Sequence, residues 1–189
     1  MANRRVFRLT MKNIFYTLVA LFSIGIYAQD KVLTKTGQIT FEASVPSFEE
    51  VKASLANAGS AINIKTGDIA CVIMVKNFKF KNGLMQEHFN ENYMESEKYP
   101  KAVFTGKIEN FNFSALNSNP VKYLVTGTME IHGKKKSLTV PVFIKKNDKV
   151  TNLTSTFELK PEEFDIEIPS IVGYKIAKTV TVKMNLDLN

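Results

Sequence analysis

The stretch TVTVKMNLDL, residues 179–188, alternates without a break. Val180, Val182, Met184, Leu186 and Leu188 fall on one side, and Thr179, Thr181, Lys183, Asn185 and Asp187 on the other. Successive side chains of an extended chain point to opposite faces, so a strict period of two marks a strand with one buried and one wet face. The same pattern recurs upstream. Ile39, Phe41, Ala43 and Val45 alternate with Thr40, Glu42 and Ser44. Val121, Tyr123, Val125, Met129 and Ile131 share a face on which Gly127 also falls. Leu138, Val140, Val142 and Ile144 form another, as do Leu153, Ser155, Phe157 and Leu159. Residues 69–75 and 102–108 add two more apolar strand patterns.

Turn chemistry separates these runs: Thr36-Gly37, Thr66-Gly67-Asp68, Asn82-Gly83, His132-Gly133-Lys134 and Asn147-Asp148. Strands that recur with short turns and keep one apolar face predict an antiparallel sheet, closed on itself or packed on a second sheet. A parallel α/β fold needs helical patterns between strands, and these are mostly absent. Two stretches depart from the rule. Leu84, Met85 and Phe89 have helical spacing, which predicts a short helix over 83–92. Ser47-Phe48-Glu49-Glu50 has the form of a capping box, which predicts one helical turn leading into a strand, while Glu49, Val51, Ala53 and Leu55 read equally as strand alternation.

Residues 1–28 read as a secretory signal peptide. Arg4, Arg5, Arg8 and Lys12 precede the uncharged run IFYTLVALFSIGIY (14–27), and Ala28 offers a small residue at the cut. That run is shorter than the ~20 residues of a spanning helix. Met11 opens a shorter, complete signal of its own. The expectation is one domain over 29–189, located in a periplasm or outside the cell, with no integral membrane segment after cleavage. The net charge of +7, less those four positives, leaves +3. That balance gives no reason to expect a nucleic-acid partner.

The chemistry-bearing residues are few. One cysteine and two histidines exclude an internal disulfide framework and any two-cysteine zinc or redox motif. No nucleophile elbow, metalloprotease helix or phosphate-binding glycine loop is present. The expectation is no catalytic residue, no metal and no cofactor; His88 and His132 remain the only candidates for an acid–base pair. Glu87, Glu91, Glu95 and Glu97 read as a solvated face, and Lys134, Lys135 and Lys136 as a solvated turn. The apolar supply is more informative: 14 Phe, six Tyr and seven Met in a chain without tryptophan. A closed sheet of about eight strands has an interior that side chains fill or that holds one small ligand. The pattern alone leaves a packed core and a lined cavity equally open.

Particular residues bear on that choice. His88-Phe89, followed by Tyr99-Pro100-Lys101-Ala102-Val103-Phe104, resembles the motif region of the YceI-like family, in which a helical histidine precedes an aromatic–proline strand entry. Gly127-Thr128-Met129-Glu130-Ile131-His132-Gly133 resembles that family's strand and turn ending in His-Gly, with 138–144 as the next strand. Phe164-Asp165-Ile166 resembles its late Phe-Gly-Ile signal, with Asp165 in place of glycine. The resemblance spans about residues 37–189. Met85-Gln86-Glu87 departs from an arginine–aspartate pair common before the histidine, and the segment from Phe48 to Leu55 also differs.

The resemblance implies a lipocalin-like antiparallel β-barrel with one short helix. It further implies an exported, non-enzymatic protein that holds a long isoprenoid chain, such as a polyprenyl phosphate or a quinone tail. The expected partner is therefore a long-chain apolar lipid, with a homodimer as a further option. The expected apolar lining is Phe41, Ile73, Val75, Phe78, Met85, Phe89, Phe104, Ile108, Val125, Met129, Val140, Val142, Phe157 and Val182. The rival reading is a packed-core barrel that acts as a protein-interaction module.

Overall fold

The computed structural model describes residues 30–189; the expected signal peptide and its cleavage site lie outside the described residues. Nine strands follow in chain order: β1 (Lys31–Ser44), β2 (Lys52–Asn63), β3 (Asp68–Met74), β4 (Lys79–Phe80), β5 (Lys101–Ile108), β6 (Val121–Ile131), β7 (Lys134–Asn147), β8 (Val150–Leu159) and β9 (Ile176–Leu188). Every pairing is antiparallel. The order β1-β9-β8-β7-β6-β5-β3-β2 returns to β1 through the β1–β2 hairpin, so eight strands close into a barrel. The two-residue β4 lies against β2 through Ala53↔Phe80 and Ser54↔Lys79. The predicted barrel is the observed fold, and closure removes the exposed edges that an open sheet would present.

The period-two faces point inward as read. In β9, Leu186 and Leu188 are fully buried while the intervening Asp187 is exposed. The predicted helix forms over Gly83–His88 and runs on as a π-turn, Phe89–Tyr93. Asn82 starts it, its side-chain oxygen accepting from the Leu84 and Met85 amides at 2.9 and 3.3 Å. Among the described residues no helix is long and apolar enough to cross a membrane.

Two local expectations are overturned. Ser47–Glu50 forms no helix. Ser47 has φ 73°, outside any helical start, and the Phe48 amide donates to Val45 O, so the segment is the turn of the β1–β2 hairpin. Ser44 then ties back to the residue before β2, its hydroxyl accepting from the Val51 amide at 3.1 Å. Thr36-Gly37 is no chain break either. It is an irregularity inside β1, where the register with β2 shifts on both sides of Gly37. A side chain at Gly37 would overlap Leu186 of β9 and crowd the Ala58 carbonyl, so any larger residue there requires the buried Leu186 to shift.

Gly106 and Gly127 are a directly opposed pair on β5 and β6. A Cβ on Gly127 would sit 2.3 Å from Thr105 O and 2.7 Å from Phe104 Cζ; one on Gly106 would sit 2.9 Å from that same ring carbon. The tip of the Phe104 ring therefore rests on a patch of bare backbone. Gly127→Ala should destabilise the fold by about 1–3 kcal/mol, because neither the Thr105 carbonyl nor the Phe104 ring can retreat freely. A urea midpoint within error of wild type would show that the sheet yields there.

Candidate functional site

The barrel interior has two unlike halves. One is filled. Ile62, Ile108, Ile144, Leu153, Leu186 and Leu188 are all at most 1% exposed and belong to one continuous cluster, closed by Leu116 from the segment before β6. The other half holds a cavity of about 430 Å³, within the roughly 300–1,000 Å³ of small-molecule sites. Inward residues of seven strands line it: Phe41 of β1, Ile73 of β3, Phe104 of β5, Met129 of β6, Val140 of β7, Phe157 of β8 and Val182 of β9 among them. Phe104, held on its glycine patch, is one of the side chains of its wall.

Above the strands, two segments roof the cavity. Residues 75–94 supply Val75, Phe78, Phe80, Met85 and Phe89. Phe89, at the end of the helix, stacks on Phe41 at 5.3 Å and meets Phe80 at 5.1 Å and Phe78 at 5.9 Å; Phe41 and Phe78 approach to 4.9 Å edge to face. Such ring pairs are worth about 0.5–1.5 kcal/mol each beyond their burial, so this cluster fastens the helix to the barrel. Gln86 adds a polar tie by accepting from the Phe80 amide at 3.2 Å. The second segment, between β8 and β9, contributes Phe164, Ile166, Ile168 and Val172.

The second segment is anchored by residues that carried the resemblance. His132 and Gly133 form the β6–β7 turn with φ of 52° and 74°, the left-handed pair of a two-residue hairpin. The Tyr99 ring packs over Gly133, where a Cβ would come within 2.7 Å of it, and meets the His132 ring at 4.5 Å. His132 Nδ1 lies 3.2 Å from the Phe164 carbonyl oxygen. A carbonyl only accepts, so Nδ1 carries the proton. His132 Nε2 is buried with no hydrogen-bond partner, 3.9 Å from the Glu95 carboxylate. Asp165, left-handed at φ 55°, pairs with Lys134 at 2.6 Å. Through this cluster the β6–β7 turn holds Phe164 over the cavity.

Polar groups gather at the mouth. Glu49, Leu84, His88 and Lys175 both line the cavity and are exposed, which locates its opening between the β1–β2 turn, the helix and the start of β9. Asn82 donates from Nδ2 to Glu49 at 3.0 Å. Deeper in, the wall carries almost no polar atom. Cys71 is the exception, and burial pushes its thiol up from 9.0 to about 11, which keeps it protonated and a poor nucleophile.

The structure brings together on this cavity all the residues expected to line it except Ile108. Ile108 is on the expected inward face, but it is 1% exposed inside the filled half. Period two assigns a face and says nothing of depth. Leu138, Val180 and Met184 also line the cavity and were available from the same alternation. Phe164, Ile166 and Val172 were not, because their segment has no period. The two histidines play separate parts: His88 is exposed at the mouth, while His132 does not line the cavity. Of the acidic run, Glu97 pairs with Lys76 at 2.5 Å and Glu95 with Lys98 at 3.2 Å. Among the described residues no group of three or more His, Cys, Asp and Glu is placed to hold a metal ion.

Comparison with known proteins agrees with this geometry. The family model of the YceI-like domain matches residues 28–188. Among solved structures, the chain is similar to a polyisoprenoid-binding domain from Saccharophagus degradans implicated in plant cell wall breakdown. The identity is 15% and the TM-score 0.74, over 85% of this chain and 98% of that one. It is also similar to Burkholderia cenocepacia BcnA, at 18% identity and TM-score 0.63, over 81% and 96% of the two chains. A Campylobacter jejuni YceI protein follows at 15% identity and TM-score 0.57, over 76% and 88%. At these identities the likeness is one of fold. No curated protein matches the chain.

Two measurements check this description. Leu186→Ala, in the filled half, should cost about 2–5 kcal/mol by opening a void. Met184→Ala, one inward position along the same strand, should cost no more than about 1.5 kcal/mol, since it only enlarges a space already present. Equal costs in chemical denaturation would remove the distinction between the halves. Cys71 should alkylate at pH 8 about a hundredfold more slowly in the folded protein than in urea, from thiolate supply alone. The sign follows from the raised value: the stability tied to the neutral thiol is present below pH 9.0 and is lost as pH rises toward 11. Equal native and unfolded labelling rates would contradict the buried setting.

Proposed function

The chain belongs to the YceI-like domain family, and on that premise we propose that it is an exported, non-enzymatic carrier that holds a long isoprenoid-type lipid chain in the open half of its barrel, for transport, storage or sequestration. The observation that carries this reading is the segregation of chemistry in the cavity. Its wall is aliphatic, aromatic and thioether, and its charged groups stand only at the mouth. Such a site takes a hydrocarbon chain inward and leaves a head group in water.

The energetics suit that cargo. Each buried CH₂ contributes about 0.8 kcal/mol, so one five-carbon unit is worth roughly 3–4 kcal/mol before ordering costs. A few such units suffice without any strong head-group contact. Phenylalanine and methionine adapt to branched chains without demanding a fixed shape. The polyisoprenoid-binding description of the Saccharophagus degradans domain supports the same ligand class. The basic start, the uncharged run 14–27 and Ala28 support export, with maturation to Gln29 and residence in a periplasm or outside the cell.

The test is native mass spectrometry of the protein purified from a periplasmic fraction, followed by organic extraction and determination of the N-terminal residue. The expected result is Gln29 at the N-terminus and a stoichiometric adduct with isoprenoid fragmentation. Met129→Arg or Phe104→Asp should remove the adduct from a protein that keeps its β-sheet circular dichroism. A clean apo mass, unchanged after incubation with polyprenyl lipids and quinones, would overturn the carrier reading in favour of an interaction module.

A further inference from the structure

The mouth of the cavity is rimmed by the three most exposed large apolar side chains among the described residues, and by Phe48. Ile171 is 80% exposed, Tyr174 60% and Leu84 59%, with Phe48 at 43%. They come from three segments far apart in sequence: the β1–β2 turn, the start of the helix Gly83–His88, and the helical turn Ser170–Gly173 with the residue after it. The fold brings them together. The Phe48 and Tyr174 rings meet edge to face at 5.5 Å. Leu84 itself lines the cavity, as do Glu49, Val172 and Lys175, the sequence neighbours of the others. Exposed apolar residues scattered over a barrel wall need no explanation, but a group gathered round one opening marks a contact surface.

The charges at this rim are unequal in their engagement. Glu49 is held by Asn82, and Glu50 lies 3.9 Å from Lys52. Lys175 lies over the Tyr174 ring at 5.4 Å and has no carboxylate partner among the described residues. The rim therefore offers apolar side chains, an amphipathic tyrosine, one ammonium without a carboxylate partner, and the Glu49 carboxylate, whose charge the neutral Asn82 amide does not cancel. That combination suits the boundary of a bilayer, where rings and aliphatic chains enter the head-group layer and a lysine reaches lipid phosphate.

We propose that this rim seats the barrel on the surface of a phospholipid bilayer, with Ile171, Tyr174, Leu84 and Phe48 inserted and Lys175 beside a lipid phosphate. The mouth then opens directly into the hydrocarbon layer. The proposal rests on the carrier reading: a long apolar lipid has its reservoir in a bilayer, and a seated mouth lets the chain pass without exposing its methylenes to water.

The test is flotation of the purified protein with vesicles of phosphatidylcholine and phosphatidylglycerol in equal parts, run beside farnesol binding in buffer without vesicles. Wild type floats with the vesicles. The double variant Ile171→Asp/Tyr174→Ser, whose altered residues do not line the cavity, loses at least tenfold in vesicle partitioning and keeps farnesol affinity and its melting temperature. Leu124→Asp, on the barrel wall, floats as wild type does. Should the double variant melt early, Ile171→Ser carries the same comparison. Undiminished flotation of the rim variant overturns the proposal. So does a wild type that stays with the soluble fraction, including one whose sedimentation shows a dimer that the rim variant abolishes, since a second copy then covers the rim. Flotation without farnesol binding would instead remove the carrier reading while leaving the surface in place.

Discussion

Closure of the sheet is the constraint from which the rest of this molecule follows. β1 pairs along its length with β2 and, on its other edge, with β9, so the eight long strands have a single inside. A barrel of this size is just wide enough to be filled by side chains or to hold one small ligand. Here both happen, at different heights along the same strands. Isoleucine and leucine fill one half to near-zero exposure. The other half is roofed by the segments 75–94 and 160–175, and it keeps its space because the roof rests on the aromatic cluster of Phe41, Phe78, Phe80 and Phe89 instead of descending into the barrel.

The division separates two tasks that compete in a single core. Stability draws on Ile62, Ile144, Leu153, Leu186 and Leu188, which touch no ligand space. The cavity wall is free to be soft and irregular, with Met129, Met184 and five phenylalanines of the roof and β1 where a packed core would have fixed shapes. Polarity is sorted along the same axis. The filled end is apolar apart from buried hydroxyls such as Thr151, the cavity wall carries the protonated Cys71 thiol, and the charges stand at the mouth.

Much of this was legible in the amino-acid order, and the rest was not for definite reasons. Alternation identifies a strand wherever apolar and polar residues contrast, as in β6 through β9. It fades in the second half of β2, where Ala58, Gly59 and Ser60 give little contrast, and at Thr36-Gly37, where a strand irregularity looks like a turn. Ser47 has the composition of a helix cap and the backbone of a hairpin turn, because the neighbouring strands and not the local sequence decide its φ. For the site, alternation gave the inward face of each strand. It could not place Ile108 in the filled end or draw Phe164 over the cavity, since depth and roofing depend on contacts distant in sequence. Tyr99 and Phe164 stood out only through a family resemblance, while His132 and Gly133 also read as a turn. The structure gives them a common task, holding one roof segment against the β6–β7 turn.

The pairing of β1 with β9 also governs when the molecule can form. The strand first in sequence is completed by the strand last in sequence, down to the paired backbone bonds between Leu33 and Asn189, each 3.0 Å. Contacts of such sequence separation close slowly, because the entropy of the intervening loop must be lost before the pairing returns anything. A chain emerging from its N-terminus can build the β5–β6–β7–β8 meander early, yet β1 keeps an unpaired edge until β9 arrives. The barrel therefore stays open until nearly the whole chain is present.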